Sequence, residues 1–267
     1  WKPPTQGLRD WRTEMSVRDQ QLFEALAGES LASLGYERRF EVFDDEVVEA
    51  AERCRAWWRE NVEADRPAEP PRARTRSYRR SDTQNPFLFV VGCPRSGTTL
   101  LKRVIDAHGQ IAMTPETHWI PRCARKRIGV DDEGRITADL ASYLLGYRKF
   151  ANLKLDPAEV ESVLVPGMAY ADAVSAIFDL YGREQDRALV GDKTPGYVQF
   201  RPLLHELWPR AKFIHLIRDG RDVCLSTLDW ARAERTVGRF ETWADDPVTT
   251  TALWWERLVR LGRDAVN

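Results

Sequence analysis

The stretch Gly92-Cys-Pro-Arg-Ser-Gly-Thr-Thr99 constrains this chain more than any other. It follows an apolar run, Phe87-Leu-Phe-Val-Val91, and leads into a helix-like segment, Leu100-Leu-Lys-Arg-Val-Ile-Asp-Ala-His108. A strand, a glycine-bearing loop and a helix in that order make a cradle for a phosphate-like anion. Successive backbone N–H groups and the positive end of the helix converge on it. Loops that grip nucleoside triphosphates share the Gly-x4-Gly spacing but place Lys after the second Gly. Here Thr98 stands in that position, and the cation is Arg95, inside the loop. The loop therefore reads as an anion holder that is not built for ordinary ATP chemistry.

The rest of the core has the alternation such a loop requires. Residues 87–92, 189–192 and 212–217 are short apolar runs that read as buried strands. Helical segments are expected over 98–108, within 138–181 and over 202–208. Strands alternating with helices predict an α/β fold, P-loop-like and three-layered, with a mainly parallel central sheet. In such sheets ligands sit outside the carboxyl ends of the strands. Those ends carry residues 93–99, 192–194 and 218–222.

Before this core lies a helical appendage, residues 1–64. Ser16 is a candidate N-cap with Asp19 at the third helical position. Leu22, Phe23, Leu26, Ala27, Leu31 and Leu34 then follow helical spacing, and Gly35 ends the run. A second helix over 45–63 carries the apolar stripe Val47, Ala51, Cys54 and Trp58. Residues 65–85 are rich in Pro and Arg and poor in aliphatic residues, so they read as a linker. Residues 86–267 form the core.

Charge excludes little on its own: 40 Lys and Arg balance 41 Asp and Glu, so no global argument favours nucleic acid. No apolar run approaches the roughly 18 residues of a membrane span. Cys54, Cys93, Cys123 and Cys224 show no CxxC spacing, and read as reduced thiols in a cytoplasmic protein without a metal site. Cys93 lies in the anion loop, where a helix start can lower a thiol pKa and make it reactive.

A second anion site is written in Arg218-Asp-Gly-Arg-Asp-Val-Cys-Leu-Ser226. Arg218 ends a strand, Asp219 or Asp222 can cap the next helix, and Ser226 falls about two turns in. A guanidinium and a hydroxyl from one strand–turn–helix unit can hold a second phosphate.

Pro94-Arg-Ser-Gly-Thr-Thr99 followed by Arg218 and Ser226 resembles the sulfotransferases that use 3′-phosphoadenosine 5′-phosphosulfate (PAPS). Thr114-Pro-Glu-Thr-His-Trp-Ile-Pro-Arg122 and Gly191-Asp-Lys-Thr-Pro195 are similar to segments of the tyrosylprotein sulfotransferases and their bacterial relatives. The resemblance implies that Arg95, Ser96, Gly97, Thr98 and Thr99 hold the phosphosulfate, and that Arg218 and Ser226 hold the 3′-phosphate. It implies Glu116 as catalytic base and Lys193 as the cation facing the transferred sulfonyl group, with no metal. His118, where the tyrosylprotein enzymes have Arg, is the second candidate base. The acceptor is a hydroxyl on a carbohydrate, a phenol or tyrosine, or a small metabolite. Trp119, Trp230, Trp243, Trp254 and Trp255 are either acceptor platforms or core. A P-loop kinase or NTPase and an inactive nucleotide-binding module are the alternatives.

Residues 1 to about 40, with Trp11-Arg-Thr-Glu-Met-Ser and Leu34-Gly-Tyr36, resemble the C-terminal helix region of the same enzymes. The core is expected to be incomplete at its C-terminal end. Three alternatives stay open: the chain is cut from a tandem protein, the unit is circularly permuted and its N-terminal tail packs on its own core, or the segment is an unrelated amphipathic helix.

Overall fold

The computed structural model describes residues 10–63, 87–232 and 242–264. The linker expected over 65–85 lies outside the described residues, as do the side chain of Trp230 and both chain ends. In chain order the elements are α1 (Trp11–Glu14), α2 (Val17–Ser33), α3 (Asp45–Trp58), β1 (Leu88–Gly92), α4 (Thr98–Asp106), β2 (Ile111–Thr114), α5 (Trp119–Lys126) and α6 (Asp139–Gly146). They continue with α7 (Pro157–Val163), α8 (Tyr170–Glu184), β3 (Leu189–Lys193), α9 (Arg201–Leu207), β4 (Lys212–Leu216), α10 (Gly220–Arg232), α11 (Thr242–Asp245) and α12 (Pro247–Arg263). Contacts group the chain into two units. One holds residues 87–92 and 97–216; the other holds 10–63, 93–96 and 217–264.

The first unit is the α/β body. Its strands are all parallel, in the order β2-β3-β1-β4. The chain steps from β1 leftward to β2, then rightward to β3 and β4. Right-handed crossovers place the β1–β2 helix, α4, on one face and the later helices on the other. The aromatic contacts agree. Phe87 packs edge-on against Phe178 of α8 and against Trp208, while Phe89 meets Tyr197, Trp208 and Phe213. The reversal falls between β1 and β3, where sheets of this kind bind ligands. β2 was absent from the sequence-based expectation. Four residues after a helix carry too little periodicity to read, and pairing to β3 from Ile111↔Leu189 to Thr114↔Asp192 makes the strand.

Two glycines let the strands close up. A Cβ on Gly191 would lie 2.5 Å from the carbonyl oxygen of Leu88 and 2.5 Å from Met113 Sδ. Gly92 has φ +146, and a Cβ there would lie 2.4 Å from the carbonyl oxygen of Leu216. Both strain and collision oppose a side chain at the end of β1. Gly92→Ala is therefore expected to lower stability by about 3 kcal/mol, measured by urea unfolding.

The second unit is helical. Ser16 Oγ accepts from Asp19 N, as its N-cap reading requires. Gly35 closes α2 at φ +81, with Gly35 N donating to Ala32 O and Tyr36 N to Leu31 O. Leu22, Phe23, Leu26, Ala27 and Leu31 are buried along α2, and Val47, Ala51, Cys54 and Trp58 along α3. α2 packs against α3, α10 and α12. The α2 interior is not wholly apolar: Gln20, Gln21 and Glu24 are buried with the aliphatic residues.

Candidate active site

In the α/β unit the residues after β2 and at the end of β3 meet. Lys193, the last residue of β3, places Nζ 2.6 Å from Glu116 Oε1. His118 Nε2 lies 3.0 Å from Glu116 Oε2. Lys193 is 7% exposed and Glu116 36%, so the ammonium is inside and the carboxylate reaches the surface. Burial pushes the Glu116 carboxyl up, but hydrogen bonds and charge from His118 and Lys193 outweigh it and hold it at about 2. His118 takes a left-handed conformation, φ 56, immediately before α5. That turn brings its ring back onto the carboxylate two residues earlier.

A second lysine joins them that no motif announced. Lys149 Nζ lies 3.7 Å from Glu116 Oε2, and its pKa is lowered, chiefly by burial. It sits just before a 3₁₀ turn, Phe150–Leu153, inside the helical stretch whose spacing carries no chemical signature. The partners of Glu116 are Lys193, His118 and Lys149.

Within the helical unit, Arg95 and Ser226 come together, with Arg95 Nε donating to Ser226 Oγ at 3.0 Å. These are the loop cation and the distant serine expected to hold phosphates. Arg95 has φ 73, is exposed, and sits in a turn in which Ser96 N donates to Cys93 O. Ser96 Oγ is buried and has no hydrogen-bond partner among the described residues. Arg218 pairs with Asp222 at 3.2 Å, and Trp255 Nε1 donates to its carbonyl. Asp219, not Asp222, caps α10 by accepting from Arg221 N.

In the α/β unit, Gly97 takes φ 98 and starts α4 with no side-chain cap, leaving the first N–H groups of Thr98 and Thr99 for another acceptor. An uncapped helix start suits an anion.

Two alternatives that the sequence left open are decided. Cys93 is not a reactive thiol: it is 1% exposed, and burial pushes its pKa up. Trp119 and Trp255 are fully buried core residues and cannot be acceptor platforms. Among the described residues no group of three His, Cys, Asp or Glu side chains is placed to hold a metal ion. Among them too, no helix is long and apolar enough to cross a membrane.

The α/β unit thus has a parallel sheet, a glycine-started helix after its first strand and a carboxylate–lysine pair at the end of β3. The chain belongs to the sulfotransferase family, whose family model matches residues 86–265. It is 30% identical over 150 residues to protein-tyrosine sulfotransferase A of Caenorhabditis elegans, covering 54% of this chain and 34% of the relative. To protein-tyrosine sulfotransferase of Drosophila melanogaster it is 31% identical over 148 residues, covering 55% and 26%. Against protein-tyrosine sulfotransferase 2 of Gallus gallus it is 30% identical over 142 residues, covering 53% and 33%. The matched part thus spans about a third or less of each relative's length.

Proposed function

We propose that this protein transfers a sulfonyl group from PAPS to a hydroxyl acceptor. The observation that carries the reading is the buried Lys193 ammonium set 2.6 Å from Glu116, flanked by His118. When bound, the donor supplies an activated sulfonyl group on a phosphate leaving group. Arg95, Ser96, Gly97, Thr98 and Thr99 are assigned to its phosphosulfate, and Arg218 and Ser226 to its 3′-phosphate.

Glu116 takes the proton from the acceptor hydroxyl as that oxygen bonds to sulfur. Lys193 and Arg95 are assigned to the charge on the bridging oxygen, which would keep the electron pair of the broken S–O bond and leave as 3′-phosphoadenosine 5′-phosphate. A carboxylate held at about 2 is a weak base while Lys193 stays on it. Turning Lys193 toward the leaving oxygen removes that restraint and lets Glu116 accept the proton. The 3.0 Å contact also supports a second reading, in which His118 accepts the proton and Glu116 orients the imidazole.

Calorimetry with 3′-phosphoadenosine 5′-phosphate tests the donor assignment; binding of ATP in its place overturns it. Arg218→Ala is expected to weaken that product by about tenfold to a hundredfold, as one charge-assisted contact is lost. The same change leaves adenosine 5′-phosphate, which lacks the 3′-phosphate, little affected. Equal losses for both remove Arg218 from the role.

A further inference from the structure

We propose that Thr117, through the buried Asp192 carboxylate, is the positioning residue that holds Glu116 on Lys193; the catalytic consequence rests on the function proposed above. Each end of the contact has a neighbour in the chain that is locked to the other. Asp192 precedes Lys193 on β3, and Thr117 lies between Glu116 and His118.

The lock is a one-way chain of donors. Ile120 N donates to Tyr197 Oη at 3.3 Å, and Tyr197 Oη meets Thr117 Oγ1 at 2.7 Å. Thr117 Oγ1 donates to Asp192 Oδ2 at 2.9 Å, and Thr114 Oγ1 donates to the same oxygen at 2.8 Å. A threonine hydroxyl has one proton, so with Thr117 donating to the carboxylate, Tyr197 must donate to Thr117. The backbone is fixed as well: Thr117 N donates to Thr194 Oγ1 at 3.0 Å, and Tyr170 Oη donates to Ile120 O at 2.8 Å. Thr114, Thr117, Tyr170, Asp192, Thr194 and Tyr197 are all 2% exposed or less.

In so dry a place each bond is strong, and each missing partner is costly. Burial raises the Asp192 pKa to about 6, against the hydroxyl donors that lower it, so these bonds keep the carboxylate tolerable at neutral pH. A charged residue inside the apolar strand Leu189-Val-Gly-Asp-Lys193 needs such a reason. Asp192 and Thr117 are both buried, at 0% and 1% exposure, so they act through the turn rather than at the surface. Their effect is to fix the turn at residues 115–118 against β3.

The test reads the Glu116 carboxyl directly, by carbon-13 NMR of the glutamate side chains, with Glu116→Gln identifying the resonance. In the native protein Glu116 is expected to stay ionised as pH falls from 7 to about 4, the range in which ordinary glutamates begin to titrate. Thr117→Val keeps the side-chain shape and removes the hydroxyl. It is expected to free Glu116 from Lys193 and bring its midpoint up to about 4. Thr117→Ser restores the hydroxyl and the native behaviour. If Thr117→Val does not fold, Thr194→Ala removes the backbone anchor of Thr117 together with the Thr194 hydrogen bond to Asp192, and is expected to move the midpoint the same way.

An unmoved Glu116 in the folded variant overturns the proposal, whatever its melting temperature. Turnover gives the second readout. The kcat for PAPS consumption falls about a hundredfold in Thr117→Val, the scale of a misplaced reacting group, while product affinity is unchanged. A moved midpoint in a protein that turns over no PAPS in its native form sustains the positioning role and rejects the sulfotransferase reading.

Discussion

Replacing Glu116 with Gln is expected to lower turnover by about a hundredfold to ten-thousandfold, the usual contribution of a general base, while 3′-phosphoadenosine 5′-phosphate still binds. Gln keeps an oxygen for Lys193 but cannot accept the proton. Glu116→Ala is expected to lose turnover equally but carries a second cost. It leaves the Lys193 ammonium, 7% exposed, without its nearest counter-charge.

The pH profile separates the two candidate bases. The free-enzyme Glu116 carboxyl is held at about 2 by His118 and Lys193 against the upward push of burial, so it remains ionised throughout the pH range a folded enzyme tolerates. With Glu116 as base, kcat/KM has no acid limb from this group at mildly acidic pH. A limb in the imidazole range that disappears in His118→Asn transfers the role to His118. The stability sign follows from the same direction. A carboxyl lowered on folding stabilises above the ordinary glutamate range, and that contribution is lost as pH falls toward 2. Glu116→Gln is therefore expected to be less sensitive to acid than the native protein.

Much of this was legible because the chemistry-bearing residues lie in short contiguous runs. The loop after β1 announces itself by Gly-x4-Gly and by the absence of the following Lys, and Glu116 and Lys193 stand in recognisable segments. What escaped depends on contacts between distant parts of the chain. Lys149 reaches Glu116 from a 3₁₀ turn in a stretch without any motif. Asp192 stood in a quoted segment, but its meaning comes from two threonines that β2 and the next turn bring to it. β2 itself is four residues long and exists by pairing. Trp119 and Trp255 look like ligand platforms by type and are core by burial. Arg221 lies in a run of charged residues, yet it is 1% exposed.

Arg221→Met is expected to cost about 3–5 kcal/mol, the penalty for removing one partner of a buried ion pair, and to lower the urea midpoint accordingly. Against a total stability of roughly 5–15 kcal/mol, that is a large fraction. Arg221 Nε and Nη2 bond Asp219 at 3.0 and 2.8 Å, and Nη1 bonds Glu24 Oε1 at 2.7 Å and Glu37 O at 2.9 Å. The guanidinium also lies 3.6 Å above the Trp11 ring. Glu24 is fully buried in α2 and accepts from Arg39 N and Phe40 N besides.

Lysine cannot replace this fork of donors, so Arg221→Lys is expected to recover little. Glu24→Gln should cost nearly as much as Arg221→Met, because it leaves the guanidinium short of a carboxylate. Glu24→Leu combined with Arg221→Met removes both charges and is expected to cost less than the sum of the singles. Glu24 and Arg221 stand 197 residues apart in sequence. A strong coupling between them means that α2 and the turn bearing Arg218 fold as one body, and that residues 10–40 support the proposed 3′-phosphate site. Additive losses, or a Glu24→Gln cost within the roughly 0.5 kcal/mol of a surface change, would instead make α2 a separable appendage.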